Sequence, residues 1–76
     1  MDTIYLTGFQ TTIPAVAAAL GVPTTDVTIT SNGAGTLSKI TAPVRAGTLS
    51  ANKASFISAL TIEITQAQYT AAGGPE

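Results

Sequence analysis

Apolar and polar positions alternate in short stretches along this chain, and the period of the alternation changes from one stretch to the next. Ile4 and Leu6 alternate with Thr3, Tyr5 and Thr7, the period of two expected of a strand over residues 3–7, ended by Gly8. The period then lengthens. Ile13, Val16, Ala17 and Leu20 fall at i, i+3, i+4 and i+7, which predicts a short helix over about residues 12–20. Thr11 or Thr12 can cap it, Pro14 lies in its first turn, Gly21 offers a left-handed stop, and Pro23 prevents the helix from resuming. Because only one face of this helix is apolar, it has to lie on a sheet.

Val27 and Ile29 alternate with Thr28 and Thr30, predicting a half-buried strand over residues 26–31. Asn32-Gly33-Ala34-Gly35 follows, and Asn-Gly between two extended runs predicts a hairpin. The return strand starts at Thr36, but Leu37 and Ile40 are out of phase, so a bulge near Ser38 or Lys39 is expected. Pro43 places that strand at an edge or breaks it there.

Residues 48–65 admit two patterns. One caps a helix at Ser50 and uses Lys53, Phe56, Ile57 and Leu60 as a stripe. The other turns at residues 50–53 and runs one long strand with Phe56, Leu60, Ile62 and Ile64 on one face. Thr61, Glu63 and Thr65 would alternate outward in that strand, and this cleaner ending favours it. Thr65 and Gln68 then have the spacing of a capping box, predicting a helix over about residues 66–72 with Tyr69 as its anchor and Gly73-Gly74-Pro75 as its stop. The expected fold is α+β: a small antiparallel sheet with the first helix packed on it and a short C-terminal helix. Residues 1–76 form a single compact domain in this reading, with no internal repeat or linker.

Composition narrows the chemistry. The chain has 76 residues, no Cys and no His, so disulfides are impossible and zinc or haem sites are close to excluded. No cofactor is expected. Small domains usually need a staple, and association is the one left open. Only 9% of residues are charged, against about 25% in ordinary soluble domains, and the net charge is −1. Such a surface favours association. No basic leader and no apolar run of membrane-spanning length is visible, so use without classical export and without membrane insertion is expected.

Catalytic signals are poor. Ser and Thr are plentiful, but activating one needs a base, and Ser38 beside Lys39 or Lys53 near Ser55 are the only Ser–Lys arrangements. Gly33-Ala34-Gly35 begins like a dinucleotide fingerprint, yet Ser38 stands where the third glycine belongs, and a turn explains the glycines better. Asp26, which precedes the second strand, is expected to make a local Asx-type side-chain bond. The chain reads as a non-enzyme.

Candidate contact residues are Phe9, Lys39, Pro43, Val44, Arg45 and Lys53. The three cations lie between positions 39 and 53 with no intervening acid, and on a hairpin they could share one face. Nucleic acid is disfavoured, because no aromatic residue is interleaved with them. Phe9, Pro43 and Val44 stand outside the apolar stripes and could anchor a protein contact.

Ile64-Thr65-Gln66-Ala67-Gln68-Tyr69-Thr70-Ala71-Ala72-Gly73 resembles a phrase of bacteriophage structural and tail-associated proteins, in which a strand runs into a short capped helix. The Thr/Ala/Gly-rich, charge-poor remainder is similar to small phage virion proteins. The resemblance implies a virion location and a role in capsid decoration, cementing or tail attachment. Partners would be other copies of the chain or other virion proteins, with segment 43–53 as the contact. The alternative is a cytoplasmic adaptor that meets a small, possibly anionic partner through Lys39, Arg45 and Lys53.

Overall fold

The first strand, β1 (Asp2–Thr7), becomes one of the two interior strands of a four-stranded sheet, in a computed structural model that describes residues 1–8, 11–32 and 35–75. Ile4 and Leu6 are buried while the intervening residues are half-buried, as their alternation requires. Helix α1 (Ile13–Leu20) follows. Thr12 caps it by accepting a hydrogen bond from the Ala15 amide, and Pro14 sits in the first turn. Gly21 ends it at φ 70°, a conformation an L side chain resists. Val16 and Ala17 are its buried contacts with the core.

A single 3-10 turn (Thr24–Asp26) precedes β2 (Thr28–Ser31), so Asp26 closes a turn and the strand starts two residues later than expected. β2 pairs antiparallel with β3 (Leu37–Ala42). The Asn32 side chain holds the intervening loop: its oxygen accepts from the Thr36 and Leu37 amides at 2.8 and 3.2 Å, and its nitrogen donates to the Thr36 hydroxyl. The expected hairpin is therefore present, although Gly33 and Ala34 lie outside the described residues.

The expected bulge in β3 is not there. Ser31↔Ser38, Thr30↔Lys39 and Ile29↔Ile40 follow one another without a break, and so do the pairs with β1. Leu37 and Ile40 are out of phase because they are buried on opposite faces of the sheet. Small Ser38, 2% exposed, takes the core position opposite Leu6. Pro43 acts as a breaker and not as an edge marker, since β3 is an interior strand that ends at Ala42.

Residues 48–65 follow neither expected pattern. Helix α2 (Thr48–Asn52) runs into a 3-10 turn (Lys53–Ser55), and β4 (Ile62–Ile64) has three residues in place of a long strand. Leu49 and Phe56 are buried in the core, whereas Leu60 is exposed. Helix α3 (Gln66–Ala71) ends the fold with both hydrogen bonds of the expected capping box between Thr65 and Gln68.

The sheet order is β2-β3-β1-β4, antiparallel throughout, which establishes a small α+β fold. One face carries the core, in which Ile4, Leu6 and Ile40 meet Val16, Ala17, Val27, Leu49 and Phe56. Burying each larger side chain of this set contributes about 1.5–3 kcal/mol. The second face carries Thr3, Tyr5, Thr7, Lys39, Thr41, Ile62 and Ile64, as the register dictates, and α3 covers part of it.

Candidate functional site

The residues singled out from the sequence do not converge. Lys39 faces the second side of the sheet, opposite Tyr5 in register. Lys53 belongs to the other side, where its ammonium lies 3.1 Å from the Glu63 carboxylate, and Glu63 pairs with core-facing Leu6. Arg45 is exposed in the loop after β3. The three cations therefore share no face, and the expected common basic surface is corrected by the pleat: Lys39 and Glu63 lie on strands whose alternation sends them to opposite sides. Pro43 is exposed, but Val44 packs against the core and is no free anchor. Phe9 lies outside the described residues.

Glu63 also corrects its own expectation of facing water. The Ser50 hydroxyl donates to it at 2.6 and 2.7 Å, so α2 and the 3-10 turn that follows it are tied to β4 by one hydroxyl and one ammonium. The cluster joins a Ser, a Lys and a Glu, yet the carboxylate is occupied by both partners in a structural tie. The Ser–Lys pairs read from the sequence are separated: Ser38 and Lys39 point to opposite faces of β3, and Lys53 is engaged with Glu63. Among the described residues no cluster of acids forms that could hold a metal ion, and no helix is long and apolar enough to cross a membrane.

Two features of the second face carry more. The first is a cleft of about 340 Å³ between the sheet and the C-terminal segment. Tyr5 and Lys39 of the sheet floor it, Gln66, Tyr69 and Thr70 of α3 wall it, and Gly74 and Pro75 close one side. Local chemistry fixes this shape. The capping box sets the direction of α3, which lays the Tyr69 ring on Tyr5 with centroids 4.9 Å apart and planes tilted by 49°. The Tyr69 hydroxyl donates to the Pro75 carbonyl at 2.6 Å and folds the following chain back over the ring. Gly74 is required there, because a Cβ would run into the Tyr69 ring. Burial holds the Tyr69 phenol above its ordinary pKa, and neighbouring Tyr5 adds to the rise.

The second feature is the β4 edge. Leu60 and Ile62 are 65% and 62% exposed, and β4 is an outer strand. Neither feature was read from the sequence as a site. Lys39 was singled out, but its aromatic neighbours Tyr5 and Tyr69 are 34 and 30 positions away and no local pattern joins them. Leu60 and Ile62 were read as members of one apolar strand face with Phe56 and Ile64.

No protein-family model, curated protein or solved structure matches the chain. Its class is defined by its own geometry: a four-stranded antiparallel sheet with two helices on one face and a short capped helix on the other.

Proposed function

We propose that this chain is a non-enzymatic structural subunit of a virion, decorating, cementing or joining a capsid or tail by docking onto further copies of itself and onto other virion proteins. The observation that carries this reading is the exposure of Leu60 and Ile62 together beside an outer strand. Edge strands offer unpaired backbone groups, and proteins usually guard them with charge. Here the flanking side chains are apolar, and the chain as a whole has a net charge of −1, so little repulsion opposes contact between copies. A two-fold contact between β4 edges centred on Ile62 would bring that side chain against its own counterpart. The resemblance of the stretch from Ile64 to Gly73 to phage structural proteins supports the virion setting.

Light scattering coupled to size-exclusion chromatography tests the surface. The parent chain is expected to elute as an oligomer whose mass rises with concentration. Ile62→Lys, a change at an exposed position, is expected to give a monomer with an unchanged thermal midpoint. An Ile62→Lys chain that assembles like the parent would contradict the proposed edge.

A further inference from the structure

Lys39 stands on an interior strand, in the middle of the second face, where a solvated lysine has least reason to be. Its same-face neighbours in register are Tyr5 on β1 and Thr30 on β2, both uncharged. The acids of the sheet are turned the other way, Glu63 toward Ser50 and Lys53 and Asp2 toward the Leu49 amide. The Lys39 ammonium thus has no hydrogen-bond or ion-pair partner among the described residues, and the residue is half-buried in the floor of the cleft.

We propose that this cleft binds a single carboxylate, the side chain of an Asp or Glu presented by a partner subunit, with Lys39 as its counter-ion. The proposal rests on the docking role proposed above and names the chemistry of one contact. Three properties select this ligand. A lone ammonium matches a monoanion; a phosphate dianion calls for further cations, and Lys39 is the one cation lining the cleft. The other polar side chains of the lining are neutral, and of these the Gln66 amide and the Thr70 hydroxyl can donate to the second carboxylate oxygen. The tyrosine pair supplies an apolar wall for the methylene groups that carry the acid. The volume of about 340 Å³ lies at the small end of ligand sites, enough for one side chain and its adjoining backbone.

The test is a titration of the full chain, followed by amide chemical shifts, with the blocked tripeptide acetyl-Ala-Glu-Ala-amide, its Gln counterpart, sodium acetate and inorganic phosphate. The Glu peptide is expected to give saturable shifts at Tyr5, Lys39, Gln66 and Thr70, while the Gln peptide gives none at the same concentration. Acetate is expected to shift the same amides more weakly, which separates the carboxylate from the peptide that bears it. Lys39→Gln should weaken the Glu peptide about tenfold or more, the size expected of a lost charge-assisted hydrogen bond. Lys39→Arg should restore most of it. Equal response to the Glu and Gln peptides, stronger binding of phosphate, or shifts spread over Arg45 and Lys53 as well would overturn the proposal. Ile62→Lys distinguishes the two readings, because it is expected to abolish self-assembly through β4 and leave peptide binding intact, whereas Lys39→Gln is expected to weaken the peptide and leave self-assembly intact, the carboxylate being that of a different virion protein.

Discussion

The carboxylate of Asp2, 8% exposed, accepts hydrogen bonds from the Leu49 amide at 2.8 Å and the Thr3 amide at 3.0 Å. Leu49 lies in the first turn of α2, where amides have no partner within the helix, and Gly47 at the cap position has no side chain to supply one. Asp2 therefore caps α2 from a position 47 residues away. The same contact holds Leu49 in the core, where it is fully buried. Asp2→Ala would leave the Leu49 amide without a partner and is expected to cost about 2–3 kcal/mol. In a domain of this size that lowers the thermal midpoint by about 10 °C or more. Asp2→Asn, which keeps one acceptor, should cost less. A midpoint unchanged in Asp2→Ala, measured by circular dichroism, would contradict the capping role. Sequence patterns expose caps only when donor and acceptor are neighbours: Thr12 and Thr65 were legible because their bonds close within three residues. Asp2 carried no local signal, and Glu63 was legible only as an outward residue, because their partners arrive through tertiary packing.

Among the elements, those with both a period and a punctuation mark were readable. β1, α1 and α3 carry clean alternation or a cap, and each formed nearly where expected. β3 was misjudged in its interior, since an interior strand buried on both faces places Leu37 and Ile40 on opposite sides and mimics a bulge. Segment 48–65 failed for a related reason. Its apolar residues serve three different surroundings: Leu49 and Phe56 the core, Leu60 and Ile62 the solvent, and Ile64 the second face. No single period can describe them. The C-terminal element offers a pH test. The unfolded chain loses the Tyr69 proton near pH 10, the ordinary value, whereas the folded chain holds it to higher pH. The contribution of the neutral phenol is therefore fully present below about pH 10 and is lost as pH rises from there through the raised folded value. Comparing thermal midpoints of the parent and Tyr69→Phe from neutral to strongly alkaline pH isolates this group. The parent is expected to lose more stability above about pH 10 than the variant, and parallel curves would contradict the burial of the phenol.

As a whole molecule the chain is closed. Its accessible surface of 4280 Å² is close to the roughly 4,300 Å² expected of a folded monomer of 7.6 kDa. Its radius of gyration of 11.2 Å also matches the value of roughly 11 Å for its length. The need for a partner inferred from composition thus does not arise from an unfinished shape. The proposal of a partner rests on the quality of the surface: few charges, exposed Leu60 and Ile62 at an outer strand, and Lys39 without an acid partner among the described residues. Composition made association an expectation, but it could not single out the two surfaces proposed for it: the exposure of Leu60 and Ile62 follows from the outer position of β4, and the cleft joins residues far apart in sequence. Sedimentation velocity of the unmodified chain, across about a hundredfold range of concentration and at low and high salt, tests the assembly role most directly. Discrete oligomers or larger ordered species that grow with concentration and persist in high salt are the expected result. A single monomeric boundary at every concentration and salt would contradict self-assembly through the β4 edge.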